Sequence, residues 1–250
     1  MALGIGAAWY YAQVFNCQRI ESNSMFNKIT PKLYFSKRIS GVSQQNTRAA
    51  IVEARQRIIG FWGQQLGNAT IIVCQTPAQY QDFCHSNEGA GCSIGTPWGE
   101  SFIVLNPYGL DPDVIAHEMC HDELYTRLGW WRLTQQIPQW FNEGLALMVD
   151  YRFVNTQDSI QRYIDYKTEW SYRAHNQEDV LELSDIKNAS GFFGGDQSQV
   201  MLAYMTAGME VSRWLSLQPR HALVGLVNEL NEGKKFETVY AKKRPLPATH

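Results

Sequence analysis

The sequence predicts an α+β fold, with a small mixed sheet and helices in the N-terminal half and mostly helices in the C-terminal half. Runs typical of strands occur only before residue 107, whereas apolar residues recur at helical spacing through most of the later chain. The chain has 250 residues, 44% of them hydrophobic, which suffices for one sizeable core. We therefore expect one domain over residues 19–240, preceded by an apolar segment, 1–18, and followed by a flexible tail, 241–250.

Strands are expected from short apolar runs. Residues 32–39 alternate polar and apolar side chains like a half-buried strand, and residues 69–75 form a β-branched run. Residues 91–95 and 101–106 are separated by five residues that include proline and glycine. This spacing predicts a hairpin.

Helices are expected where a capping signal precedes an apolar stripe. The stripe of residues 42–66 is stopped by glycine and asparagine, and Thr76 with Pro77 has the pattern of an N-cap followed by a first-turn proline. Asp111 caps a helix that ends at Gly129. The remaining predicted helices span residues 137–154, 156–175, 200–217 and 221–232.

The charge balance argues against nucleic acid as a partner. The chain carries 22 Lys and Arg against 24 Asp and Glu, for a net charge of -2. Nucleic-acid binding draws much of its affinity from basic side chains on phosphates, so a chain without a basic surplus is not expected to bind it.

Residues 1–18 contain no charged side chain. The segment is shorter than the roughly 20 residues that span a membrane, and no Lys or Arg precedes its apolar part, unlike in a signal peptide. We interpret it as the end of an N-terminal membrane anchor or signal, with Trp9, Tyr10 and Tyr11 at the membrane interface. The alternative is an amphipathic helix packed on the domain.

The five cysteines include one pair suited to a disulfide. Cys84 and Cys92 bracket a polar, glycine-rich segment, where a bond closing a short loop is sterically reasonable. Such a bond indicates an oxidising, extracytoplasmic compartment, and the alternative is two surface thiols. We expect Cys120 to stay reduced, because it lies inside the helix that Asp111 caps.

Two histidines and a glutamate stand together inside that helix, in the motif HEMCH. His117 and His121 are one turn apart, about 40° around the helix axis and about 6 Å along it, so both imidazoles can reach one zinc ion. Glu118 lies next to the first histidine and can lean over an open coordination position. The alternative is an accidental motif whose histidines are satisfied by hydrogen bonds in the core.

A catalytic zinc site needs a third protein ligand, and the segment WFNEGLA offers Glu143. The motif helix rises about 10 Å beyond His121, and a helix that starts at Pro138 climbs about 8 Å back to Glu143. An antiparallel pair of helices therefore returns Glu143 to the level of His121. The small residues Gly144 and Ala146 would let the two helices approach closely.

HEMCH followed by WFNEGLA resembles the gluzincin metallopeptidases, which bind zinc through two histidines and a glutamate. The likeness is greatest to small, extracytoplasmic peptidase-MA-like proteins and covers residues 102–151. It implies a zincin-like fold with a cleft between the two halves, and one zinc ion held by His117, His121 and Glu143. It also implies that Glu118 is the general base in hydrolysis of a peptide or protein substrate.

The resemblance implies further roles outside the ligand set. Gluzincins commonly stabilise the oxyanion with a tyrosine or histidine from the C-terminal half, which indicates Tyr204, with His175 and His221 as the next choices. The run Phe102–Leu105 stands where such enzymes pair a strand with an extended substrate. For the tyrosine and the histidines, the alternative is an ordinary packing or surface role. For Phe102–Leu105, the alternative is that the run is simply the edge of the core sheet.

One departure from the family bears on the substrate. Zinc aminopeptidases hold the substrate amine with a G-x-M-E-N element upstream of the zinc helix, whereas the nearest string here, GMEV at residues 208–211, lies downstream. We therefore expect an endopeptidase rather than an aminopeptidase. The rival interpretations are a zinc-binding pseudoenzyme or scaffold without hydrolytic activity, and a binding domain that is not a peptidase.

Asp150 is the candidate for orienting a histidine ligand. On a helix extended past Glu143, it stands about 10 Å further along and about 20° away in rotation, near the level of His117 on the antiparallel partner. A carboxylate there would accept the second ring N–H of the histidine and fix its tautomer. The alternative is a solvated carboxylate at the end of an amphipathic helix.

Overall fold

The computed structural model describes residues 11–84, 89–174 and 180–242, and its fold is α+β, as the sequence predicts. The chain divides into two compact units, Met1–Trp130 and Trp131–His250. All strands of the described residues lie in the first unit, and the regular structure described in the second unit is helical. The predicted change from a sheet with helices to helices is therefore confirmed.

The described residues of the first unit form a five-stranded mixed sheet. Its strands are β1 (Phe26–Thr30), β2 (Leu33–Ser36), β3 (Thr70–Val73), β4 (Gly91–Gly95) and β5 (Ser101–Leu105). They are ordered β1-β2-β3-β5-β4, with β3 parallel to both β2 and β5 and the two outer pairs antiparallel. The predicted β4–β5 hairpin is confirmed. β1 is additional to the predicted strands, because its polar residues Asn27 and Lys28 are exposed and obscure the apolar pattern.

The helices of the first unit begin and end at local signals. They are α1 (described over residues 11–18), α2 (Gly41–Trp62), α3 (Pro77–Gln81) and α4 (Pro112–Gln136). Thr76 caps α3 as predicted, and its hydroxyl accepts the N–H of Gln79 at 3.2 Å. α2 ends before the predicted stop at Leu66, because Gly63 takes a left-handed conformation with φ 83°.

The described part of the N-terminal segment is a helix packed into the core. Val14 and Cys17 of α1 belong to a buried cluster that includes Phe26 of β1. Residues 11–18 therefore match the packed-helix alternative, and the anchor interpretation of residues 1–10 lies outside the described residues. None of the helices in the described part of the chain is both long and apolar enough to cross a membrane.

Helix α4 carries the HEMCH motif and is buried on almost every side. From Val114 to Tyr125, every residue except His121 is buried. Asp111 caps the helix as predicted, because its Oδ1 accepts two backbone N–H groups of the first turn, at 2.9 and 3.0 Å. The helical path breaks where the sequence predicts, at Gly129, which has φ 76° and ψ 160°. A helical segment resumes after this break and ends at residue 136.

The disulfide predicted between Cys84 and Cys92 is confirmed, with Cα atoms 6.4 Å apart. Cys17, Cys74 and Cys120 are buried thiols, so Cys120 is reduced, as expected. Burial raises the pKa of Cys17 to about 12 and also raises the pKa of Cys74.

The described part of the second unit contains the end of α4 and six further helices. They are α5 (Gln139–Ala146), α6 (Ser159–Arg173), α7 (Ala189–Phe193), α8 (Gln197–Ser216), α9 (Ala222–Asn231) and α10 (Phe236–Lys242). α5 and α6 both pack on α8. Of the predicted flexible tail, residues 241–242 are part of α10, and residues 243–250 lie outside the described residues.

Helix α5 is shorter than the predicted helix over residues 137–154. It ends at Ala146, because the next carbonyl groups are taken by α6 instead of by helical N–H groups. The hydroxyl of Tyr166 donates to the carbonyl of Leu147 at 3.1 Å, and the guanidinium of Arg162 donates to the carbonyl of Met148. Residues after 146 therefore leave the helical path.

Gly144 lets α5 lie close to α8. A Cβ built on Gly144 would be 2.5 Å from Cγ2 of Val211 and 2.7 Å from the carbonyl oxygen of Ala207, both in α8. The close approach that this glycine permits is therefore to α8.

Candidate metal centre

The two motif histidines project from adjacent turns of α4. Their ring centroids are 4.8 Å apart and their planes are inclined by 80°. His117 is buried and His121 is half-buried. Because residues four apart share one face of a helix, α4 alone fixes the two imidazoles as neighbours.

Glu143 lies on the buried side of α5, with 4% of its surface exposed. The start of this helix is fixed by its backbone, since the N–H groups of Gln139 and Trp140 donate to the carbonyls of Lys187 and Ile186 at 2.9 and 3.2 Å. These bonds satisfy two of the N–H groups that a helix start leaves open.

Gln139 orients the carboxylate of Glu143. It lies one turn earlier on α5, and its Nε2 donates to Oε1 of Glu143 at 2.8 Å. Gln139 is not among the site residues predicted from the sequence, although its spacing of four from Glu143 is a usable signal. A hydrogen-bonded carboxylate is held in place before it binds a metal.

His117, His121 and Glu143 form a group that could hold a metal ion. Each offers one ligand atom, and these atoms all lie within 4.8 Å of one another. Ligand atoms about 2.1 Å from a tetrahedral ion stand about 3.4 Å apart, so the widest pair has at most about 1.4 Å to close. Two imidazoles and one carboxylate are a donor set of catalytic zinc sites, so the residues fit zinc.

Glu118 is confined beside the edge strand β4. It is 7% exposed, and a Cβ built on Gly91 would lie 2.8 Å from its Cγ and 3.1 Å from its Oε1. The same carboxylate lies close enough to Tyr80 to act on it electrostatically. Burial, and after it the charge of Glu118, raises the pKa of Tyr80.

Two carboxylates that follow His121 anchor α4 to the segment before β3. Glu123 and Asp122 accept backbone N–H groups from residues 66–69 at 2.7 to 2.9 Å. Both side chains are buried, and burial raises the pKa of Asp122. These bonds fix the helix directly beside a predicted ligand, and nothing in the local sequence pattern indicates them.

Asp150 does not lie on the helix that the sequence analysis assigns to it, because α5 ends at Ala146. The solvated alternative is also wrong, since Asp150 is fully buried. Its carboxylate accepts the backbone N–H of Arg152 at 3.0 Å and the guanidinium at 2.6 to 3.1 Å. The carboxylate of Asp150 is thus paired with Arg152. Its predicted role, to accept the second ring N–H of a histidine ligand, stays a prediction.

The residues predicted to stabilise the oxyanion occupy different surroundings. Tyr204 of α8 is half-buried in an aromatic cluster, with its ring 5.1 Å from that of Phe192 and 6.4 Å from that of Phe153. His221 is exposed just before α9, and His175 lies outside the described residues.

The strand predicted to pair with substrate, Phe102–Leu105, lies inside the sheet. It is most of β5, which is buried throughout and hydrogen-bonded to β3 on one side and β4 on the other. This expectation is therefore wrong, because no edge of β5 is open to a further strand. In the sheet that the described residues form, the edge strand next to β5 is β4, and its residue Gly91 lies against Glu118.

The string at residues 208–211 serves packing in α8. Gly208 lies against the ring of Tyr166, which a Cβ would approach to 2.6 Å. The buried carboxylate of Glu210 accepts hydrogen bonds from Arg213 at 2.8 Å and from the hydroxyl of Tyr240 at 2.7 Å.

Comparison with protein-family models and with curated proteins found no match for this chain.

Proposed function

We propose that this protein is a zinc-dependent peptidase, with His117, His121 and Glu143 as metal ligands and Glu118 as general base. One observation carries the proposal: three ligand atoms of the right kinds lie within 4.8 Å of one another. An accidental HEMCH motif would have no reason to meet a buried carboxylate from another helix.

The ligand residues fit one ion. A zinc ion held there would supply a Lewis acid that polarises a peptide carbonyl and lowers the pKa of water toward 7. His117 and His121 would each offer a neutral imidazole nitrogen. Glu143 would offer a carboxylate oxygen, while Gln139 keeps that carboxylate oriented.

Glu118 would move the protons of hydrolysis. A carboxylate can take a proton from the attacking water and then pass it to the amine of the leaving peptide. Glu118 directly follows the proposed ligand His117 on α4, which supports this role.

The position of β4 supports an extended polypeptide as the substrate. β4 is an edge strand of the sheet that the described residues form, and the outer edge of such a strand can pair with an added strand. Since Gly91 of β4 touches Glu118, a peptide along this edge would pass the general base. This arrangement favours an endopeptidase with a zincin-like fold.

Two further parts of the proposal concern the oxyanion and the location. The aromatic cluster around Tyr204 supports a fixed ring, which suits the role of a hydrogen-bond donor to the oxyanion. The Cys84–Cys92 disulfide supports an extracytoplasmic location, because disulfides persist in oxidising compartments.

Metal analysis combined with digestion of a peptide library tests the proposal. The protein should hold one zinc per chain and cleave internal peptide bonds. Glu118→Gln should keep zinc but lose about 100- to 10,000-fold in kcat, because the amide has a similar shape and cannot take a proton. Glu53→Gln, which changes a glutamate on the exposed side of α2, is the matched control and should keep full activity.

Each result has a distinct meaning. Zinc without hydrolysis would identify a metal-binding scaffold instead of a peptidase. Protein that holds no zinc after incubation with the metal and dialysis would refute the site itself.

A further inference from the structure

Residues 89–91, a short stretch of backbone that leads into β4, lie beside the side chain of Glu118. A Cβ on Gly91 would lie 2.8 Å from Cγ of Glu118, closer than Cβ atoms come to their neighbours in proteins. A side chain at residue 91 therefore requires Glu118 to shift. Because Glu118 is itself 7% exposed, this stretch of backbone limits where the carboxylate can stand.

Asn106, which follows β5, holds the same stretch with two hydrogen bonds. Its backbone N–H donates to the carbonyl of Ala90 at 3.0 Å, and its side-chain Nδ2 donates to the carbonyl of Gly89 at 2.8 Å. Asn106 is fully buried. Gly109 packs on the Ala90 carbonyl as well, since a Cβ on Gly109 would lie 2.0 Å from its oxygen.

The Cys84–Cys92 disulfide holds the stretch where it enters β4. Cys92 directly follows Gly91, and Cys84 lies just beyond the end of α3, with the two Cα atoms 6.4 Å apart. Tyr80 of α3 also packs here, because a Cβ on Gly89 would lie 2.9 Å from its hydroxyl oxygen. Residues 89–91 are thus tied both to α3 and to the interior strand β5.

We infer that Asn106 and the Cys84–Cys92 disulfide are positioning elements for Glu118, which hold residues 89–91 against its side chain. The inference rests on the proposed function, because it assumes that Glu118 transfers the protons of hydrolysis. Neither element touches the reacting atoms, and both act through backbone. Since a misplacement of about 1 Å can cost about 100-fold in rate, losing either element should lower kcat while zinc stays bound.

Reversible reduction tests the disulfide on the folded, zinc-loaded protein. A trialkylphosphine and one water convert the disulfide into two thiols, and the phosphine is oxidised to its oxide. We expect kcat to fall about tenfold or more and to recover after reoxidation. The Cys84→Ser/Cys92→Ser double variant should show the low kcat with or without phosphine.

Gly91→Ala tests the same geometry with the disulfide intact. We expect kcat to fall by about 10- to 100-fold with one zinc per chain retained. Gly60→Ala is the matched control, because its added Cβ on α2 meets nothing within 4 Å, and it should keep the wild-type kcat.

Hydrogen exchange supplies a measurement that does not depend on hydrolysis. In the double serine variant, exchange should rise at the N–H of Asn106 and in β4, while β2 and β3 keep wild-type protection. Faster exchange across the whole sheet would indicate general destabilisation and would overturn the inference. Unchanged exchange at Asn106, or wild-type kcat in both Gly91→Ala and the double variant, would also overturn it.

These outcomes separate the two proposals. Wild-type protein that binds zinc but hydrolyses nothing would refute the proposed function. If the wild-type enzyme is active and has the same kcat with the disulfide oxidised and reduced, the positioning role alone is refuted.

Discussion

Replacing Gly144 with alanine tests whether the packing of α5 on α8 sets the position of Glu143. The new Cβ would lie 2.5 Å from Cγ2 of Val211 and 2.7 Å from the carbonyl oxygen of Ala207. Ordinary contacts of a Cβ begin near 3.4 Å, so the two helices must separate by about 0.7 to 0.9 Å at this point. The carbonyl belongs to the backbone of α8 and cannot rotate away, so one of the two helices has to shift against the other.

Two effects of this substitution on stability oppose each other. Overpacking a core costs about 1 to 3 kcal/mol, whereas alanine is favoured over glycine inside a helix by about 1 kcal/mol. The free energy of unfolding of the metal-free protein should therefore fall by about 0 to 2 kcal/mol. Metal binding should respond more strongly, because ligand distances in a good site vary by only about 0.2 Å. We expect zinc affinity to fall by about 10- to 100-fold.

Denaturant unfolding of the metal-free protein and competition with a chromophoric chelator measure the two effects. Gly60→Ala is the control, because its Cβ meets open space. It should leave zinc affinity unchanged and stabilise the protein by at most about 1 kcal/mol. A Gly144→Ala protein with wild-type zinc affinity would refute the reasoning that packing on α8 positions the ligand.

Three further predictions concern the ligand set, its support and the core. Glu143→Ala should sharply weaken zinc binding in equilibrium dialysis while the helical circular dichroism stays intact, and equal zinc occupancy would remove Glu143 from the site. Asp150→Asn should cost about 10- to 100-fold in zinc affinity or activity without unfolding the protein; unchanged values would leave Asp150 only its ion pair with Arg152. Burial raises the pKa of Cys17 from 9.0 to about 12, so its contribution to stability is complete below pH 9 and is lost as the pH rises toward 12. The loss amounts to about 1.4 kcal/mol per pH unit, so in denaturant titrations the stability of the wild type should fall more steeply with pH than that of Cys17→Ala, in which Cys74 still contributes; parallel pH profiles would contradict this.

Local signals account for the parts of the fold that the sequence predicts correctly. The cap at Thr76, the break at Gly129 and the turn of the β4–β5 hairpin each depend on residues within six positions of one another. Such interactions are formed by neighbours in the chain, so a sequence pattern records them directly. The pair of motif histidines belongs to the same class, because a single helix turn places His117 beside His121.

The sequence-based predictions are wrong where an element distant in the chain determines the local structure. α5 ends early because Arg162 and Tyr166 bind carbonyls that would otherwise continue the helix. Gly144 faces α8, which lies more than fifty residues further along the chain. A local sequence pattern does not specify which distant helix will pack against a segment. The position predicted for Asp150, on a continuation of α5, is therefore wrong.

The nearly complete burial of residues 114–125 in α4 limits which substitutions the chain can accept. Along α2, exposed and buried positions alternate with the helical repeat, so a scan of all substitutions should show tolerance rising and falling every three to four residues. Between Val114 and Tyr125, every residue except His121 is buried, and His121 is a proposed metal ligand. The same scan should therefore show one continuous block of about three helical turns in which most substitutions are not tolerated. Few neutral substitutions should accumulate there during evolution.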